Sequence, residues 1–272
     1  MNLLQALVLG AVQGLTEFLP VSSDGHLAVA YRLLGLNSGR VLPFEVLLHV
    51  GTLLAVIVYF RKDLLKMITA LFSRDLLDKP YRRIDLLVLV GTIATLPIVF
   101  GLKDVVEPFA RNMTVVGVMF LITAGVLAGA EWLSRGKANE HINDAAWWKA
   151  IPIGLGQGFA VLPAISRSGN TIAVGLLVGL KREEAARFSF LLGVPIIALA
   201  FVKDGYDVLK GGGGLPSVAA CVVGVATAAV VGYVAVAWLL ALVKQHTLYG
   251  FAMYTALVGT ALLVATLAFK VF

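Results

Sequence analysis

Residues 13–26 read Q-G-L-T-E-F-L-P-V-S-S-D-G-H, and residues 157–171 read Q-G-F-A-V-L-P-A-I-S-R-S-G-N-T. Each stretch gathers charge, hydroxyls, glycine and a proline inside strongly apolar sequence. A shift of 144 residues lays Gln13 on Gln157, Gly14 on Gly158, Ser22 on Ser166 and Gly25 on Gly169. Proline forces the residue before it out of the helix, and Ser or Asp after it caps the start of another. Both stretches therefore predict a pair of short helices with a polar turn between them. Backbone that leaves the helix at membrane depth is tolerated only where protein or a wet cavity surrounds it. The two turns are expected to line the functional cavity.

The composition around them is that of an integral membrane protein. Of 272 residues 59% are hydrophobic and 14% charged, with a mean hydropathy of +0.91, whereas a globular chain carries about a quarter charged residues. The net charge of +6 does not point to a nucleic-acid partner, because the basic residues lie in short gaps between apolar runs, where membrane topology accounts for them. The single cysteine, Cys221, rules out an internal disulfide and suggests no metal cluster. No cleavable signal peptide is expected, since Met1 is followed by no basic region.

A helix needs about 20 mostly apolar residues to cross the hydrocarbon. Six segments qualify: 42–60, 84–102, 113–133, a short one at 187–204, a long one at 217–243, and 248–270. The regions 2–35 and 147–180 are broken near their middles and read as re-entrant hairpins that return to the side they entered from. The repeat runs on through Phe44 and Phe188, Leu48 and Leu192, and Lys66 and Lys210 at the same offset. The chain is thus read as one membrane domain, 1–272, built from repeats at 1–138 and 145–272. The expected fold class is an all-α polytopic membrane protein, each half one re-entrant helical hairpin plus three transmembrane helices. An odd number of crossings turns the second half upside down, an inverted-topology repeat.

The loops support this topology. Seven basic residues in 61–83, three in 134–149, three in 181–187 and Lys244 place fourteen of the 22 lysines and arginines on one side, which the positive-inside rule makes cytoplasmic. The termini are then periplasmic, and the hairpins enter from opposite faces.

A charge at mid-membrane costs about 2.5–3.5 kcal/mol even on the lenient scale, so Glu17, Asp24 and Arg167 must be paired or hydrated. Gln13 and Glu17 share a helix face. Ser22, Ser23 and Asp24 are good N-caps for a helix carrying His26. The spacing brings either hydroxyl beside the imidazole, the minimal activated nucleophile. In the second turn the planar fork of Arg167 suits phosphate oxygens. Ser166, Ser168, Asn170 and Thr171 surround it with neutral donors, Gly169 allows close backbone approach, and the following helix offers its N-terminal amides. Together the turns describe a pocket for a phosphate on a lipid-soluble carrier.

Plainer readings stand beside these. Glu17 and Arg167 also suit a structural ion pair, the serines serve as caps alone, and His26 fits a hydrogen-bonded interior residue. Asp24 reads as a cap or a metal contact, His49 as a satisfied core residue, and Glu45 as facing either headgroups or the site. Lys181 to Arg187 read as a solvated interfacial loop, and Trp147 with Trp148 as an interfacial anchor.

The stretches T-E-F-L-P-V-S-S-D-G-H and L-P-A-I-S-R-S-G-N-T resemble the two signatures of the bacterial undecaprenyl-diphosphate phosphatases of the bacitracin-resistance type, and F-E-V-L-L-H-V-G-T-L-L-A-V resembles their crossing after the first hairpin. The similarity spans essentially the whole chain. It implies an inverted-repeat phosphatase of the bacterial inner membrane, its site facing the periplasm, that converts the C55 isoprenoid diphosphate to its monophosphate for cell-wall synthesis. The family is usually assisted by Mg2+ or Ca2+. Its essential acid falls on Glu17, its candidate nucleophile on Ser23, its histidine on His26 and its phosphate-binding arginine on Arg167. Gln13, Ser22, Ser166, Ser168, Gly169, Asn170 and Thr171 complete the expected substrate pocket, and Glu17 with Asp24 the expected metal ligands. Three positions depart from the pattern: Gln13 stands at its first acidic position, Asp24 where Thr is commoner, and Ala164 where Gly is usual. The loss of one carboxylate puts a two-carboxylate metal site in doubt. Partners are the polyprenyl diphosphate and the bilayer, with a homodimer left open. The rival reading is a transporter or flippase of polyprenyl phosphate lipids, because inverted repeats with broken helices are also a transporter architecture.

Overall fold

The computed structural model describes residues 1–36, 42–73, 79–110, 112–211 and 215–269. It is all-helical, in the order α1 (Leu3–Phe18), α2 (Ser23–Leu33), α3 (Leu42–Tyr59), α4 (Arg61–Phe72), α5 (Lys79–Val106), α6 (Met113–Leu133), α7 (Ala150–Gly158), α8 (Arg167–Leu177), α9 (Arg182–Gly211), α10 (Val218–Gln245) and α11 (Tyr249–Leu267). Among the described residues the one β-bridge joins Glu140 to Leu180. Five helices carry a segment long and apolar enough to cross a membrane, in α5, α6, α9, α10 and α11. The count reaches six if α3 and α4, which meet at a bend of 76°, are taken as one broken span.

The hairpin boundaries follow from their sequences. Asn2 caps α1 in a reciprocal box with Gln5, at 2.8 and 2.9 Å. Leu19, held extended ahead of Pro20, ends that helix. Ser22 begins α2 by accepting from the Gly25 amide at 3.3 Å, and Ser166 begins α8 by accepting from Gly169 at 3.0 Å. Two turn residues sit in the left-handed region that an L side chain enters only at a cost: Ser22 at φ 70° and Ala164 at φ 56°. Ala164 is the position where the resembled signature carries glycine.

Small residues set how the hairpins dock. α1 lies along α10 so closely that a Cβ on Gly10 would come within 2.5 Å of the Gly224 carbonyl, and one on Gly14 within 2.7 Å of the Ala228 carbonyl. α7 lies along α5 in the same way, with Gly154 facing the Gly91 carbonyl and Gly158 facing Ile98. In a bilayer such close approach is what drives helices together. α3 and α9 pack against each other between the two hairpins, and α6 packs along α11.

Three expectations need correction. The segment 61–83 is not a loop throughout. α4 occupies 61–72 because Leu64, Met67 and Ala70 recur at helical spacing and turn toward the core. The segment at 187–204 is not short, being the middle of the 30-residue α9. Lys181 to Arg187 are not a solvated loop, since α9 starts at Arg182. Its charges are held by long-range partners, Arg182 on the buried Glu131 and Arg187 on Asp63 at 2.5 Å. Arg74, counted above among the basic residues of 61–83, lies outside the described residues. Trp147 and Trp148 are half-exposed just ahead of α7, as an interfacial anchor requires.

Candidate active site

Glu17, in the last turn of α1, is the hub of the site and is 7% exposed. Arg167, the first residue of α8, donates from Nη2 to Glu17 Oε1 at 2.9 Å across 150 residues of sequence. The other carboxylate oxygen, Oε2, accepts from Ser23 Oγ at 2.6 Å and from Gln13 Nε2 at 3.1 Å. The turns also lock directly, Ser168 Oγ donating to the Leu19 carbonyl at 2.9 Å. The other end of the guanidinium is buried: Arg167 Nη1 lies against Gly193 of α9 and has no acceptor among the described residues.

His26 does not stand beside a serine hydroxyl as its spacing suggested. Its Nδ1–H donates to the Ser22 carbonyl at 2.7 Å, which fixes the tautomer and leaves Nε2 to accept from the Tyr254 hydroxyl at 2.8 Å. The ring stacks on Tyr254 and meets Phe120 edge-on. His26 thus holds the strained Ser22 turn against α11, and the carboxylate of Glu17 takes the place beside Ser23. The remaining polar groups of the second turn are spent on its own backbone and on α9. Asn170 donates to the Gly156 carbonyl at 3.1 Å, and Thr171 to the Arg167 carbonyl at 2.9 Å, while Ser189 lies 2.5 Å from the Thr171 hydroxyl. Ser166 lies 3.2 Å from Ser168, both 1% exposed. Of the N-terminal amides of α8, that of Gly169 is taken by Ser166 Oγ and that of Asn170 by the Ser166 carbonyl.

His49 is a residue that sequence reasoning assigned to the core and the structure brings to the site. Its Nδ1–H donates to the Glu45 carbonyl at 2.9 Å, and Nε2 points at two carboxylates, 3.8 Å from Glu17 Oε2 and 3.9 Å from Asp24 Oδ1. A signal existed: Glu45, His49 and Thr52 form one polar stripe at i, i+4 and i+7 on an otherwise apolar helix. Glu45 itself is half-buried in the first turn of α3. Tyr254 offered no such signal.

Asp24 is largely exposed at the mouth, its side chain 63% accessible. Among the described residues no group of three or more His, Cys, Asp or Glu is placed to hold a metal ion. Both Glu17 oxygens are already filled by donors, and the guanidinium beside them repels a cation. A cation shared by Glu17 and Asp24 would have to displace donors from Glu17.

The arrangement is a hydroxyl hydrogen-bonded to a carboxylate that is paired with a fixed cation, all three side chains largely buried. It suits attack on a phosphoryl group.

Comparison with known proteins agrees with this chemistry. Residues 6–261 match the family described as bacitracin resistance protein BacA. An undecaprenyl-diphosphatase of Rubrobacter xylanophilus is 43% identical over 280 residues, covering 97% of this chain and 99% of its own. One of Desulfosudis oleivorans is 43% identical, covering 95% and 97%, and one of Alkaliphilus metalliredigens is 38% identical, covering 98% and 100%.

Proposed function

The chain belongs to the bacitracin resistance protein BacA family, and on that premise we infer that it is an undecaprenyl-diphosphatase. It hydrolyses undecaprenyl diphosphate, the C55 isoprenyl lipid, to undecaprenyl phosphate and inorganic phosphate. The lipid carrier is thereby recycled for peptidoglycan synthesis, and bacitracin, which acts on the cycle of that carrier, is resisted. Relatives named for hydrolysis favour this over lipid transport. The observation that carries the reading is the Glu17, Ser23 and Arg167 constellation at the tips of two interlocked hairpins.

The protein sits in the bacterial inner membrane with this pocket open to the periplasm, a placement supported by the basic loops. Its halves form an inverted-topology repeat. In support, α1 packs on α10 while its counterpart α7 packs on α5, each half lending a long helix to the other's hairpin.

The terminal phosphoryl group enters beside Arg167, whose guanidinium and the N-terminal end of α8 offset its charge. Gln13 orients Glu17, and Ser22, Ser166, Ser168, Gly169, Asn170 and Thr171 shape the floor of the pocket. Ser23 Oγ attacks the terminal phosphorus or orients the water that does. The 2.6 Å bond supports Glu17 as the acceptor of the proton. The bridging P–O bond breaks, undecaprenyl phosphate leaves, and water releases phosphate from the serine in the covalent route. Arg167 offsets the negative charge throughout.

The test is phosphate release from C15 or C55 isoprenyl diphosphate by detergent-purified protein, with Arg167→Ala as control. Release by the wild type and its loss in the variant is the expected outcome. An inert wild type across a range of divalent cations would end the assignment.

A further inference from the structure

The first hairpin stops partway along α10. Gly10 faces Gly224, Gly14 faces Ala228 and Gly232, and Phe18 also faces Gly232, so α1 runs parallel to α10 and ends there. From Gly232 to Gln245 α10 continues for about 20 Å at 1.5 Å per residue. Neither helix of the hairpin fills the space beyond its tip. That space is a cavity of about 540 Å³, within the 300–1,000 Å³ typical of ligand pockets.

Its lining is chiefly apolar. Leu15, Leu19 and Val21 form the side nearest the tip, and Trp238, Leu242 and Phe251 the opposite wall. Leu15 and Trp238, 42% and 49% exposed, stand at its apolar rim, and His246 and Thr247 of the α10–α11 link close its polar end. Tyr254 also lines it, and the hydroxyl of Tyr254 is the group that holds His26 on the catalytic hairpin. The chamber is thus one side chain away from the turn that presents Ser23.

An apolar chamber open to lipid takes a hydrocarbon chain, because water there would lose its hydrogen bonds and a void would lose its contacts. We propose that it seats a stretch of the polyisoprenyl chain of the substrate, so that the enzyme selects its diphosphate by tail as well as by headgroup. The proposal rests on the phosphatase reading above. A C55 chain is too long to lie extended within one leaflet of about 15 Å, and a groove reaching past the hairpin tip guides it beyond mid-membrane. The other source of such a chain is an acyl tail of a bilayer lipid, which the experiment separates.

Gly250 lines the cavity, and a Cβ built on it meets no atom within 4 Å. Gly250→Phe, in the first turn of α11, therefore adds a ring at the chamber wall where its Cβ has open space. The measurement is kcat/KM for C55 and for C15 isoprenyl diphosphate with wild type, Gly250→Ala and Gly250→Phe, each checked for an unchanged melting temperature in detergent. The C55-to-C15 ratio is expected to fall on the order of tenfold in Gly250→Phe, through KM for C55, and less in Gly250→Ala. A C55 analogue with a photoreactive group in its tail should label peptides containing Trp238 or Phe251 in the wild type and not in Gly250→Phe. An unchanged ratio would overturn the proposal, as would an unchanged ratio with fewer co-purified phospholipids, which assigns the chamber to a bilayer acyl chain. A wild type inert toward both diphosphates would instead remove the phosphatase reading, and the proposal with it.

Discussion

A Cβ on Gly193 would lie 2.2 Å from Nη1 of Arg167. The glycine in α9 is therefore what lets the guanidinium extend toward Glu17 and the pocket. At the repeat offset of 144 residues its counterpart in α3 is His49, so equivalent positions on two packed helices give an imidazole to the acidic turn and empty space to the basic one.

Gly193→Ala should consequently damage catalysis more than stability. The atom in its way is the end of a long side chain, which moves aside at little cost to the fold, but it moves away from the phosphoryl position. Removing one electrostatic donor typically lowers kcat by about 100-fold. Phosphate release should fall by that order while the melting temperature in detergent stays within a few degrees. Wild-type turnover would show that Arg167 does not act from this position.

Ser23 and Glu17 should separate in stability although both abolish turnover. Ser23→Ala removes one hydrogen bond and leaves Glu17 still paired with Arg167 and Gln13, so about 1 kcal/mol is at stake. Glu17→Gln leaves Arg167 charged and uncompensated among buried groups, a loss of about 3–5 kcal/mol. Melting curves of the two inactive variants should differ accordingly. Turnover of Ser23→Ala within tenfold of wild type would remove the serine from the reaction.

The structure casts His26 as a support for the Ser22 turn, both ring nitrogens being engaged. His26→Gln should lower kcat by roughly 100-fold, as expected when a positioned reacting group shifts, yet leave the shape of the pH profile intact. Tyr254→Phe should give a weaker version of the same effect. Disappearance of the acidic limb in His26→Gln would make the imidazole the proton acceptor instead.

No trio of ligands is placed for a metal ion among the described residues, and Glu17 is saturated with donors. Calorimetry should accordingly detect no Ca2+ or Mg2+ binding at submillimolar concentration without a diphosphate lipid. Tight binding to the free protein, lost in Asp24→Asn, would restore the two-residue metal site.

The hairpins and the pairing of Glu17 with Arg167 were legible in the sequence because mid-membrane charge is too costly to leave alone, so the acidic turn and the lone cation of the other must meet. The orientation of His26 was not. Helical spacing put a hydroxyl within reach, but the imidazole instead satisfies the carbonyl of Ser22, a residue whose left-handed backbone no periodicity reveals. His49 was misread because a helix face acquires meaning only when its neighbours are known, and the neighbours of α3 are the first hairpin, α9 and α10. Arg182 and Arg187 looked solvated for the same reason, their partners Glu131 and Asp63 lying far off in the chain.

The proposed repeat should show most sharply in how the hairpins dock. Gly154 is the counterpart of Gly10 at the offset of 144, and Gly158 of Gly14. A Cβ on Gly154 would press on the backbone carbonyl of Gly91, and one on Gly10 would lie 2.5 Å from that of Gly224. Backbone cannot swing aside as an arginine tip can, so the whole helix must shift. Gly10→Ala and Gly154→Ala should each cost about 1–3 kcal/mol, the usual penalty of overpacking, and together more, since both displacements pull on the single contact between Glu17 and Arg167. Melting temperatures of the two single variants and the double variant in one detergent provide the check. Single variants that melt with the wild type would show that close helix approach does not hold the hairpins in place.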